Sequence, residues 1–129
     1  MSFLLSLCMM VPGVCDVPDL DDYLQAVAIY ETADPVERWR PLVALYFPEV
    51  EVDRALCIVE HESRGDPKAD NPTSTARGLF QILGSLWAPH YGIDRTDLYD
   101  PAISTRLARD IWDEYGWWAW SPYKRGACR

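Results

Sequence analysis

The first residues that could do chemistry are three in a row, Glu60-His61-Glu62, near the end of an apolar-patterned stretch from Val52 to Ser63. Wound at about 100° per residue, Val52, Ala55, Leu56 and Val59 share one face. Glu62 falls inside the edge of that face, Glu60 near its other margin, and His61 points away. A carboxyl pressed against apolar surface at the negative end of a helix dipole favours its neutral form. A carboxylic acid kept protonated near neutral pH is what a general acid in glycoside cleavage requires. The plain alternative is a wet helix-end glutamate.

Other chemistries fail on spacing. A zinc-protease helix needs a second histidine four residues after the first, and position 65 is Gly65. No G-x-S-x-G elbow, phosphate-binding glycine loop or dinucleotide fingerprint occurs. Cys8, Cys15, Cys57 and Cys128 show no metal-ligand spacing, and there are only two histidines, so neither metal nor cofactor is expected. Four cysteines allow three pairings. A Cys57–Cys128 bridge would pin the C-terminus to the central helix; the other reading is four reduced thiols. Trp117, Trp118, Trp120 and Tyr123 form the densest aromatic cluster, whose rings could stack on sugars at a cleft or pack as core.

Several elements must hold these groups. Asp19–Glu31 opens with acids and reads as a helix, followed by a turn at Ala33-Asp34-Pro35 and a helix from about Pro35 to Tyr46, which Pro48 ends. The Glu62 helix comes next. Residues 64–77 carry turn chemistry, and Gly78–Leu86 is a short apolar run, helical or buried and extended. Asp100-Pro101 starts a helix, with aspartate as cap and proline in the first turn. Ile103, Leu107, Ile111 and Tyr115 recur on one face of it, and Gly116 stops it. No long alternation occurs, so the chain is expected to be mainly α. Residues 1–15 form an apolar segment, either a signal peptide lacking an initial basic residue or an arm packed on the domain; Val14 argues against lipidation. Residues 16–47 read as N-terminal helices and 48–129 as the catalytic core.

The chain has 129 residues, 49% hydrophobic and 25% charged, the balance of one small globular domain. Its net charge is −8, which argues against a nucleic-acid partner and against a surface that seeks anionic lipid. Residues 1–62 balance at −9 and residues 63–129 at +1, so contacts to a substrate belong in the second half.

The order of pieces resembles a family. Ala55–Ser63 (ALCIVEHES) is followed by Asp66-Pro67-Lys68-Ala69, then Ala76–Ile82 (ARGLFQI), then Asp97–Pro101 (DLYDP). This is similar to the soluble lytic transglycosylase domain of lysozyme-like fold, over about residues 40–128, in a variant seen in actinobacteria and their phages. The resemblance implies Glu62 as the sole catalytic acid/base, Ser63 beside it holding substrate, and Gly78, Leu79, Phe80 and Gln81 lining the cleft, with Gln81 meeting sugar hydroxyls. Trp117, Trp118 and Tyr123 are the further candidate sugar contacts. Many members carry an Ala-Tyr-Asn-type motif whose tyrosine approaches the catalytic glutamate. Here that region reads Gly116–Tyr123 (GWWAWSPY), so Tyr123 or a tryptophan would stand in.

The resemblance implies cleavage of the bond between N-acetylmuramic acid and N-acetylglucosamine in peptidoglycan, closing a 1,6-anhydro ring. The alternatives are a hydrolytic muramidase of the same fold and a non-catalytic wall-binding or virion module. The implied partner is a peptidoglycan glycan strand, with no nucleic acid and no stable membrane insertion. The implied state is a monomer unless assembled in a virion, and the implied place is the cell-wall space or a virion.

Overall fold

The computed structural model describes residues 34–129. The apolar segment 1–15, the helix expected over 19–31, and Cys8 and Cys15 lie outside the described residues.

Glu62 is carried by a fifteen-residue helix with both ends fixed by local chemistry. A 3₁₀ turn at Glu37–Trp39 leads into α1 (Arg40–Tyr46), with Pro41 in its first turn. Phe47 leaves the helix in an extended conformation, and α2 (Glu49–Ser63) begins after Pro48, three residues earlier than the apolar pattern indicates. Glu49 and Glu51 lie in its first turn, where carboxylates complement the dipole. It stops at Arg64, whose φ of 55° is left-handed. Gly65 follows with φ of 83°, and a Cβ there would lie 2.4 Å from the Pro35 carbonyl oxygen. Only glycine fits both the conformation and the approach. The indole of Trp39 donates to the Gly65 carbonyl at 2.7 Å, tying the end of α2 to the 3₁₀ turn.

Strands β1 (Ala76–Arg77) and β2 (Ile82–Leu83) pair antiparallel, Ala76 with Leu83 and Arg77 with Ile82. The Gly78–Leu86 run is thus divided: a tight turn over 78–81, a short strand, and the start of α3 (Gly84–Tyr91). Gly78 has φ of 81°, and a Cβ there would sit 2.1 Å from the Leu98 carbonyl oxygen. Close packing against the 3₁₀ turn at Arg95–Tyr99 therefore requires glycine here.

Helix α4 (Pro101–Tyr115) starts where the sequence places it. The Asp100 carboxylate accepts from the backbone N–H groups of Ala102 and Ile103 at 2.8 and 3.2 Å. Leu107, Ala108 and Ile111 are buried, but Tyr115, expected on the same apolar face, is 53% exposed. Gly116 ends α4, and a 3₁₀ turn at Gly116–Ala119 leads to the short α5 (Ser121–Lys124).

One core joins these pieces: Trp39, Leu42, Val43 and Phe47 pack with Ile58 and Val59 of α2, Leu79 and Phe80 of the hairpin, and Ile111 and Trp117. Residues 39–47 thus share their core with the chain beyond residue 48. The fold is mainly α, a single small domain, with one two-stranded sheet among the described residues.

Candidate active site

Glu62 opens onto a cavity of about 210 Å³ between the end of α2, the hairpin, α3 and α4, and the C-terminal segment. Gln81, Ile82 and Leu83 wall it from the hairpin, Trp87 from α3, Ile111 from α4, and Ala119, Trp120 and Ser121 from the chain's end. Glu62 is the one carboxylate among the described residues that line it. Burial pushes the Glu62 carboxyl above its ordinary value, and the nearby positive charge of Arg125 opposes that shift in part. His61 is exposed, as the helical spacing predicts, and faces Arg125, with its Nδ1 3.4 Å from the guanidinium.

The wall opposite is held by the main chain. Gln81 sits at φ of 49°, a left-handed conformation uncommon for a residue with a Cβ. Its side-chain nitrogen donates to the carbonyls of Ala69 and Gly78, both at 3.1 Å, which fixes the amide at the cavity edge.

The other expected contacts separate into groups. Leu79 and Phe80 are fully buried and pack in the core beneath the hairpin, so their side chains support the wall and do not line it. The Gly78 conformation answers to Leu98. The Ser63 hydroxyl donates to the Val59 carbonyl at 3.1 Å and accepts from the Gly65 N–H at 3.2 Å, which commits it to finishing α2. Trp117 is buried, stacked on Phe47 with ring centroids 5.3 Å apart, and its indole donates to Glu51 at 2.8 Å. Trp118 and Tyr123 meet edge to face at 5.1 Å with Arg129 over both rings, and neither is among the residues that line the cavity.

Trp120 is the aromatic of the terminal cluster that lines the cavity of Glu62, in the stretch where the resembled family has its tyrosine. Its indole donates to the Phe80 carbonyl at 3.0 Å, clamping the terminal segment to the hairpin. Trp87 also lines the cavity. Sequence reasoning did not single it out, because one tryptophan in a short apolar run has no periodicity to place it.

Cys57 and Cys128 form a disulfide. With His61 their side chains make the one group of possible metal ligands among the described residues. The two sulfurs are bonded to each other, so no thiolate is offered.

A small helical domain with one half-buried carboxylate at a helix end, facing a short β-hairpin, defines a lysozyme-like enzyme that cleaves glycans. The profile of the transglycosylase SLT domain matches residues 43–115, more than half of the chain, and the protein belongs to that family. It is a lysozyme-like glycosidase or transglycosylase of peptidoglycan. Among curated relatives it is 30% identical over 116 residues to Lysozyme 1 of Musca domestica, covering 78% of this chain and 82% of that one. It is 29% identical over 98 residues to a lysozyme C-like protein of Dictyostelium discoideum, covering 74% of this chain and 49% of the relative. No solved structure matches.

Proposed function

We propose that the protein is a lytic transglycosylase that cleaves the N-acetylmuramic acid to N-acetylglucosamine bond with Glu62 as its single acid and base. The observation that carries this reading is Glu62's position as the lone carboxylate among the described residues around the cavity, with burial favouring its protonated form. Glu62 protonates the glycosidic oxygen as the bond to the anomeric carbon breaks. The acetamido group of the same sugar stabilises the positive centre, so no second carboxylate is needed. The ionised Glu62 then takes the proton of the C6 hydroxyl, whose oxygen bonds the anomeric carbon and closes the 1,6-anhydro ring. Trp120 walls the sugar, and the Gln81 side-chain oxygen accepts from a hydroxyl. The site of action is the extracellular cell-wall space, in keeping with the disulfide; among the described residues no helix is long and apolar enough to cross a membrane.

Hydrolysis is the competing outcome, favoured by the names of the two relatives, one a lysozyme and the other a lysozyme C-like protein. Digestion of purified peptidoglycan with mass analysis of the muropeptides separates the two. Anhydro ends are expected, and reducing ends alone would assign the reaction to hydrolysis. Glu62→Gln is expected to lower turnover by roughly a hundredfold or more, the scale of a lost general acid; clearance of walls at the wild-type rate would remove Glu62 from the mechanism.

A further inference from the structure

Beyond the cavity, the stripe of α4 that faces it runs outward. Leu107 is in the core, and Ile111, one turn on, is buried and forms part of the cavity floor. Tyr115, a further turn on, is among the most exposed large apolar side chains described. Tyr115 is not isolated there. Its ring lies 5.6 Å from that of Trp87, edge to face, and Trp87 also lies 6.0 Å from Tyr91. His90 stands edge-on to both Trp87 and Tyr91, at 5.7 and 4.8 Å. Trp87 belongs at once to the cavity of Glu62 and to this aromatic ridge, so the two surfaces are continuous.

We propose that Trp87, Tyr91 and Tyr115 form a second stacking subsite, which holds an uncharged N-acetylhexosamine unit of the strand being cleaved at Glu62. Sugar rings present C–H faces that aromatic rings bind well, while phenol and indole tips remain able to hydrogen-bond. The charge beside the ridge selects the occupant. Burial pushes the Tyr91 phenol up, and the nearby charges of Glu114 and Asp110 add to that shift. Carboxylates there accept from sugar hydroxyls and repel anionic groups such as the carboxylates of peptide stems. The ridge therefore favours bare glycan over peptide-bearing glycan. The assignment rests on the glycan-cleaving reading above.

The test uses the Glu62→Gln protein, titrated with a neutral six-sugar N-acetylglucosamine oligomer while the tryptophan indole N–H resonances are followed. The Trp87 resonance is expected to shift together with that of Trp120. Adding Tyr115→Ala, an exposed position whose truncation leaves the core intact, is expected to weaken binding about fivefold to tenfold, and Tyr115→Phe to restore it. An unmoved Trp87 resonance, an unchanged affinity in the alanine variant, or no binding at all overturns the subsite. The reaction itself is judged separately, by whether the wild type releases muropeptides from purified walls, so a failed ridge leaves that reading in place.

Discussion

Glu62 links burial, acidity and stability in one side chain. Its folded-state pKa lies above the ordinary 4.5 because burial penalises the charged form. Below that value the carboxyl is protonated in both folded and unfolded chains. As pH rises, the unfolded chain ionises freely while the folded one resists, so the stability that the neutral acid contributes is lost as pH climbs through the folded value. Glu62→Gln is therefore expected to unfold at a higher temperature than wild type at neutral pH, with the gap closing below pH 4.5. Thermal melts of both proteins across that range check it; a gap that does not change with pH would show that burial exerts no such force on this residue. The position of Glu62 was legible because helical spacing is a local property of the chain. The places of Leu79 and Phe80 were not: an apolar residue in a cleft motif looks the same whether it faces the cleft or the core, and only the packing of the hairpin onto Phe47 and Trp120 decides. The same holds for Trp117 and Trp120, three residues apart, of which only Trp120 lines the cavity.

At the scale of elements, α4 sets the cavity floor through Ile111, and α4 begins at a cap visible in the sequence. Asp100→Ala removes the acceptor of two backbone N–H bonds and is expected to cost about 1 kcal/mol of stability, the usual value of such a cap. A denaturant titration measures it, and an unchanged midpoint would mean that water replaces the carboxylate at no loss. Capping signals survive in sequence because they are written within four residues. The hairpin left no such trace, since two-residue strands are too short to alternate, and its turn depends on a glutamine in a left-handed conformation that its own side-chain bonds help hold. Tyr115 shows the reverse error: the four-residue spacing continues past the end of the core that gave it meaning.

For the whole molecule, the disulfide is the covalent tie between distant parts of the described chain. It joins residues 71 apart, and Arg54 adds a hydrogen bond to the Cys128 carbonyl at 3.1 Å. Four cysteines left three pairings open, because sequence does not say which ends meet in space. Reduction, or Cys57→Ser with Cys128→Ser, is expected to lower stability by about 4 kcal/mol on chain-entropy grounds. It should also slow wall digestion, because the segment so pinned supplies Trp120 and Ser121 to the cavity. Matched unfolding curves with and without reductant test the first effect, and identical curves would show that the remaining contacts suffice. The charge division acquires a structural sense: the acidic half builds α1 and α2 and ends on Glu62, while the near-neutral half supplies the other walls. Those last walls carry one more consequence. The family's shared stretch ends at residue 115, yet part of the cleft comes from residues 119–121. A transplant of the shared stretch into another protein would thus carry the acid without its enclosure. The recipient's own sequence would have to provide a tryptophan at that seam, which makes the tail, more than the motif, the place where substrate preference can diverge between relatives.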